Sequence, residues 1–321
     1  MEYINNLRWS LLADHVIDLR GEKYGQPGDK HAEQEKRSFE IPSESCVIHY
    51  QPEYAHAIFN ALEQQYLGHP ELKYILISSD GDCGISYQAE HPVANDFKKA
   101  IYMFEIEKLG YRDLNLPVRC DIKRCSLTDK FSIKMYAYTF GTFNRIPPNV
   151  VRLYTVNNDT DEDSRIISIP FGIPEWFEAI AAPHFVDRFH PSWAIKNRIY
   201  VAFQMNTTER HEFMYRLHTN DSYLVRRETV SHEQYVLDLM TCGMCLSPYG
   251  NGMDCYRNLE SLYLGVLPII PHGRLSKAYQ GLPFINYGGN ALESVPTNYA
   301  GTRADMNYWR NRINADKDNL L

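Results

Sequence analysis

Residues 243–270 constrain the fold more than any other stretch. The apolar run Gly243-Met244-Cys245-Leu246 leads into Ser247-Pro248-Tyr249-Gly250-Asn251-Gly252, and a second apolar run, Val266 to Ile270, follows further on. Between them, Asp254 to Leu264 carries apolar residues at helical spacing, predicting a helix of about three turns. Gly265 stands where a left-handed C-cap is wanted. The two apolar runs read as buried strands of a parallel sheet. Strand, glycine loop, helix and strand make a βαβ unit, in which ligands lie at the carboxyl ends of the strands.

The predicted helix sorts its side chains. On a 3.6-residue wheel Cys255, Leu259, Leu262 and Tyr263 share one side, while Asp254, Arg257, Asn258, Glu260 and Ser261 share the other. Backbone N–H groups at the helix start, kept clear of side chains by Gly250 and Gly252, suit the phosphates of a nucleotide. Arg257 can add a bidentate grip, and Glu260 can accept hydrogen bonds from ribose hydroxyls. The plainer reading is an amphipathic helix with a solvated face behind a tight turn.

The pattern S-P-x-G-N-G-x-D-x-x-R-x-x-E-x-L-x-L-G-x-x-P-I resembles the nucleotide-sugar-binding signature of exostosin-like glycosyltransferases, including bacterial and viral members. It is carried here by Ser247, Pro248, Gly250, Asn251, Gly252, Asp254, Arg257, Glu260, Leu262, Gly265 and Pro268. Weaker echoes run from about position 74 onward, and the first seventy residues match nothing in that family. The resemblance implies an α/β fold of GT-B type, with two Rossmann-like domains facing across a cleft. It also implies a nucleotide-sugar donor, UDP-linked in the first instance, with no obligatory cofactor or metal, and an inverting transfer to a hydroxyl acceptor such as a glycan.

At 321 residues the chain has room for two cores. Arg165-Ile-Ile-Ser-Ile-Pro-Phe-Gly-Ile-Pro174 is similar to the family's passage between domains, and its prolines and glycine suit a hinge on their own account. The expected division is therefore an acceptor-binding domain over 1–172 and a donor-binding domain over 173–321. The expected C-terminal helix, Asp305 to Ile313, would pack back across both. A net charge of −7 gives no general field for nucleic acid or anionic membrane. No apolar run has the length of a membrane span and Met1 to Ser10 is no signal peptide, so the expected location is cytoplasmic, the host cytoplasm for a viral source. The seven cysteines fit reduced, mostly buried thiols, and Cys242-Gly-Met-Cys245, with Cys120 and Cys125, reads as core rather than as a zinc or redox motif.

In the first half, Asn6 to Leu19 reads as a strand pair or a short helix. Cys46–Tyr50 reads as a strand, Glu53 to Tyr66 as a helix, and Tyr74–Ser78 and Val150–Thr155 as buried strands. Asp80-Gly81-Asp82 follows a strand and has two readings: a D-x-D that holds a divalent metal on a diphosphate, or a carboxylate facing the donor across a cleft. On the family resemblance Asp82 matches the terminal carboxylate of an H-N-S-D loop, although the preceding His and Asn are absent. That makes Asp82 the first candidate for a general base and Asp80 the second, against a plain polar turn.

In the second half, Asn197 to Gln204 reads as a strand and Asn206-Thr-Thr-Glu-Arg210 as a helix start. In the family such an Asn and Arg sit near the donor phosphates, so Asn206 and Arg210 join the candidate donor site. A strand over Ser222 to Val230, a Ser231-capped helix from His232 to Met240, a loop His272 and a last strand over Leu282 to Ile285 complete a Rossmann-like half. Two other functions share these features. One is a phage- or virus-type DNA glycosyltransferase, whose groove would use Lys98, Lys99, Lys108, Lys123, Arg124, Lys130 and Lys134. The other is a catalytically silent sugar-nucleotide or glycan-binding module. A dehydrogenase is disfavoured because no early G-x-G-x-x-G follows a strand.

Overall fold

Among the described residues the strands pair into two sheets, and every pairing within them is parallel. The computed structural model describes residues 2–17, 39–52, 55–79, 146–158, 163–186, 196, 198–204, 210, 214, 222–249, 254–271, 274–287 and 302–321. The first sheet holds β1 (His15–Ile17), β2 (Cys46–Tyr50), β3 (Tyr74–Ser78), β4 (Val150–Thr155) and β5 (Ile166–Ser168), side by side in chain order. The second holds β6 (Ile199–Ala202), β7 (Tyr223–Arg226), β8 (Met244–Leu246), β9 (Leu267–Pro271) and β10 (Ile285–Tyr287), in the order β10-β9-β8-β6-β7. The architecture is thus α/β, with two parallel sheets of five strands each among the described residues.

Covering both faces of a parallel sheet makes its central strands apolar throughout. Every residue of β2 and β3 is buried. Cys46, Ile48 and Tyr50 pack with Tyr74 and Leu76 against Ala55, Ile58, Phe59 and Leu62 of α1 (Ala55–Gly68). The alternate residues Val47, Ile75, Ile77 and Tyr154 face the other way, into a cluster with Trp9 and Trp309 that continues to Tyr200, Cys245, Leu259 and Leu262 of the second half. Helices α2 (Glu175–Ala181) and α3 (His232–Met240) pack together. Ser231 caps α3 through its Oγ, which accepts from the Gln234 N–H.

The two chain ends close the structure. The segment at residues 6–12 is a 3-10 helix rather than a strand pair, started by the Asn5 side chain accepting from Leu7 N–H, and β1 follows it. Helix α5 (Met306–Leu320) sets Trp309 edge-on to Trp9 and Tyr154, and its Asp316 accepts from the Tyr154 hydroxyl and from Arg152 Nε at 3.1 Å. Tyr263 accepts from Ile4 N–H at 2.7 Å and donates to the Ala304 carbonyl at 2.9 Å, tying both ends to the second half. Among the described residues, no helix is long and apolar enough to cross a membrane.

Several expected elements move: the strand expected over Asn197 to Gln204 runs over Ile199–Ala202 and the one expected over Ser222 to Val230 over Tyr223–Arg226. The helix expected from Asp254 is α4, which runs only over Arg257–Tyr263. Gly265 follows it with φ 71, as its predicted C-cap role requires. The last strand begins at Ile285 rather than Leu282, because a 3-10 turn at Arg274–Lys277 and a left-handed Gly281 (φ 81) occupy the chain up to that point. Helix α5 extends well beyond the expected Ile313, to Leu320. Cys242 and Cys245 are buried free thiols, and burial pushes the Cys245 thiol up to about 12. No cluster of metal ligands occurs among the described residues, while Cys120 and Cys125 lie outside them.

Candidate functional site

Renumbered within its own half, the second sheet has the strand order 2-1-3-4-5. Successive connections leave β6 in opposite directions, so a crevice opens between the carboxyl ends of β6 and β8, the place where such sheets bind ligands. Phe203 and Gln204 follow β6, and Ser247, Pro248 and Tyr249 follow β8. Arg210 spans the two ends: its Nε donates to the Tyr249 carbonyl at 2.8 Å and its Nη1 to the Gln204 carbonyl at 3.1 Å. It is 5% exposed, and its guanidinium carbon lies 5.6 Å from the centre of the Phe203 ring.

Arg257, the first residue of α4, approaches the same ring, with its guanidinium carbon 5.9 Å from the centre. It is half-buried and its Nε is enclosed without any hydrogen-bond partner, while Nη1 reaches only the Cys255 sulfur at 3.8 Å. Burial opposes the charge, but Cys255, Tyr235, Cys245 and Glu260 around it hold its pKa above the ordinary arginine value. A cation enclosed without a bonded carboxylate is costly unless an anion arrives to satisfy it. Ser247 is buried beside it, with Oγ 3.1 Å from the Cys255 sulfur and its N–H bonded to the Ile269 carbonyl at 2.8 Å.

Glu260 lies on the same short helix and is 4% exposed. Its Oε2 accepts from the Tyr235 hydroxyl at 2.6 Å. Burial raises its pKa to about 7, although the Tyr235 bond and the Arg257 charge both pull it down. At neutral pH the enclosed arginine therefore faces a carboxylate that is itself only partly ionised, so the pair leaves room for added negative charge.

Asp254 departs from its expected role. Its carboxylate accepts from Phe171 N–H at 2.9 Å, Cys255 N–H at 2.7 Å, Asn258 Nδ2 at 2.7 Å and the Tyr279 hydroxyl at 2.8 Å. With these four donors in place it shapes the exit of the glycine loop and has no oxygen to offer a nucleotide. Its own N–H donates to Asn157 Oδ1 at 2.6 Å, so it bolts the loop after β8 to the chain leaving β4 and β5. Burial raises its pKa to about 6, moderated by those same donors.

The polar face expected on α4 is also corrected. Asn258, Glu260 and Ser261 are as buried as Leu259 and Leu262, because each finds an internal partner: Asp254, Tyr235 and the Arg257 carbonyl. A helix of seven residues also brings little macrodipole, so anion attraction here falls to the two arginines rather than to a helix terminus.

The structure thus brings Ser247, Arg210, Arg257 and Glu260 to one crevice, with Asp254 behind them. Asn206, Gly250, Asn251, Gly252 and His272 lie outside the described residues, as do Asp80 and Asp82 and the lysines and arginine of 98–134. Phe203 and Tyr235 escaped the sequence reading. The expected strand over Asn197 to Gln204 enclosed Phe203, whereas β6 ends at Ala202 and leaves Phe203 at the ligand-binding edge; Tyr235 sits mid-helix with nothing in its neighbourhood to mark it. Compared with known proteins, the sequence matches no family model and no curated protein.

Proposed function

We propose that the protein is a glycosyltransferase of GT-B type that moves a sugar from a nucleotide-sugar donor, UDP-linked in the first instance, to a hydroxyl acceptor. The observation that carries this reading is the enclosed Arg257 guanidinium with its unpartnered Nε at the switch point of the second sheet. Arg257 would grip the donor diphosphate and Arg210 would hold the two loops that frame it. Neutralising the departing diphosphate is the main catalytic need in such a transfer, and fixed guanidinium groups meet it without a metal. Glu260, anchored by Tyr235, would receive ribose hydroxyls. In-line attack by the acceptor, with its proton taken by Asp82 or Asp80, would invert the anomeric centre.

The test is thermal stabilisation by UDP, GDP, ADP and CMP, each with and without EDTA. At a hundredfold excess over its dissociation constant, a bound nucleotide adds about 2.7 kcal/mol of stability. Stabilisation by a nucleoside diphosphate, unchanged by EDTA and lost in Arg257→Met, is the expected result. Stabilisation that requires a divalent cation and disappears in Asp82→Asn would move the donor to the D-x-D. No shift with any nucleotide would remove the donor site.

A further inference from the structure

One aromatic ring at the crevice of the second sheet is shared by two arginines. Phe203 leaves the carboxyl end of β6, directly after the register pair of Ala202 with Arg226. Its ring centre lies 5.6 Å from the Arg210 guanidinium carbon and 5.9 Å from that of Arg257. The ring is half-buried, so part of it stays open to solvent. Arg210 also holds the carbonyl of Gln204, the residue after the ring, at 3.1 Å, which fixes the turn that carries Phe203.

The two arginines are held differently. Arg210 is anchored by the Tyr249 and Gln204 carbonyls and does not depend on the ring for its place. Arg257 has no such anchor. The two carboxylates of the site are engaged elsewhere: Glu260 accepts from the Tyr235 hydroxyl at 2.6 Å, and Asp254 is filled by its four donors. Among the described residues, Arg257 is left with the ring, the Cys255 sulfur at 3.8 Å and an enclosed Nε that bonds nothing. A long cationic side chain without an ion pair stays in one conformation only through what packs on it, since ordering it costs entropy. The Phe203 ring supplies that contact through its quadrupole, and it has no oxygen to compete with a phosphate for the guanidinium N–H groups.

A carboxylate in the same place would fix the guanidinium and cancel its charge, whereas a ring fixes it and leaves the charge in full. Two cations beside one ring also repel each other, a cost that an arriving anion relieves. The apolar ring keeps water from one side of the guanidinium, and the lower local dielectric strengthens the pull on that anion. A ligand with two adjacent anionic groups, a diphosphate, can meet both cations at once. We propose that Phe203 is a positioning residue for diphosphate binding: its ring holds the Arg257 guanidinium at the crevice, beside Arg210, without neutralising it. The inference rests on the donor reading only in taking that diphosphate to be part of a nucleotide.

The experiment titrates the full chain with UDP and with inorganic pyrophosphate by calorimetry. The variants are Phe203→Leu, Phe203→Tyr, chains carrying difluorinated or trifluorinated phenylalanine at the same position, and Phe203→Leu combined with Arg257→Met. Phe203→Leu should weaken both ligands about three- to tenfold, the cost of ordering one released side chain on binding. Phe203→Tyr keeps the π face and should bind as wild type does. Fluorination keeps the shape of the ring while draining its negative face, so affinity should fall stepwise with each fluorination level. The fluorinated rings also preserve the packing should Phe203→Leu fail to fold. On the Arg257→Met background the leucine substitution should weaken binding no further, because the ring acts through that arginine. Unchanged affinity across the leucine and fluorinated variants would overturn the proposal and leave the donor reading standing. A loss that persists in full on the Arg257→Met background would also overturn it, making Phe203 a direct ligand contact. If pyrophosphate binding depends on Phe203 and UDP does not bind, the positioning role stands and the UDP donor reading falls. If neither ligand binds, both fall.

Discussion

Replacing Arg257 with methionine separates a ligand-binding cation from a structural one, because the two roles predict opposite results. In the free protein the guanidinium has the Phe203 ring at 5.9 Å and the partial charge of Glu260 to attract it, against an unpartnered Nε. A cation–π contact contributes about 0.5–1 kcal/mol. An enclosed, unsatisfied donor costs about 1–3 kcal/mol, which the variant recovers. The balance runs from about zero to about 2.5 kcal/mol in the variant's favour before the attraction of Glu260 is subtracted, so the ligand-free variant should melt no lower than wild type. Bound diphosphate, in contrast, loses a charge-assisted hydrogen bond of about 1.5–3 kcal/mol, which weakens UDP by about 10- to 150-fold. With UDP at a hundredfold over the wild-type dissociation constant, the stabilisation should fall from about 2.7 to about 0.3–1.3 kcal/mol. Calorimetric titration and melting curves measure both quantities on the same samples. A variant that loses more than about 2 kcal/mol without ligand, and binds UDP as wild type does, would show that the guanidinium serves the fold.

Three further outcomes follow from the same region. The folded state raises the Glu260 pKa from 4.5 to about 7, so the fold prefers the protonated acid. That contribution is complete below about pH 4.5 and is lost as pH rises through about 7, amounting to about 3 kcal/mol. Asp254, raised from 3.8 to about 6, acts in the same direction. Urea melts should show Glu260→Gln gaining on wild type between about pH 5 and pH 8, and parallel profiles would refute the assignment. Asp254→Ala strands the Phe171, Cys255, Asn258 and Tyr279 donors and should cost about 3–5 kcal/mol by chemical denaturation. A cost below about 1 kcal/mol would mean that the bolt between the two halves carries no strength. Tyr263→Phe unpairs Ile4 N–H and the Ala304 carbonyl and should cost about 2–3 kcal/mol. It should also speed amide exchange at Ile4, and unchanged exchange there would count against this tie.

Much of this was legible in the chain because local pattern and tertiary burial agree. Tyr74–Ser78 and Val150–Thr155 are apolar enough to be strands of a covered sheet and nothing else. His232–Met240 announces itself through the Ser231 cap, and Gly265 through the left-handed turn that only glycine takes without strain. Helix α4 was misjudged because a wheel separates polar from apolar residues but cannot say where the polar face goes. Asn258, Glu260 and Ser261 look solvated until Asp254, Tyr235 and the Arg257 carbonyl are brought to them, and Tyr235 and Asp254 are set in place only by packing. That matters for function, since a buried Glu260 with its pKa near 7 is a different reagent from a surface carboxylate.

The Phe203 ring shows the deeper limit. Phe203 and Arg257 stand in separate segments, and no periodicity links them. Their meeting depends on the order of the second sheet, in which β6 lies beside β8 and β7 stands on the outside. The first sheet keeps its strands in chain order. The same order here would put β7 between β6 and β8 and move the α4 side of the crevice about 4.8 Å further from the ring. The Arg257 guanidinium carbon, 5.9 Å from the ring centre, would then fall outside the roughly 6 Å reach of a cation–π contact. Sequence can therefore supply the ring and the cation, but only the strand order decides whether they meet.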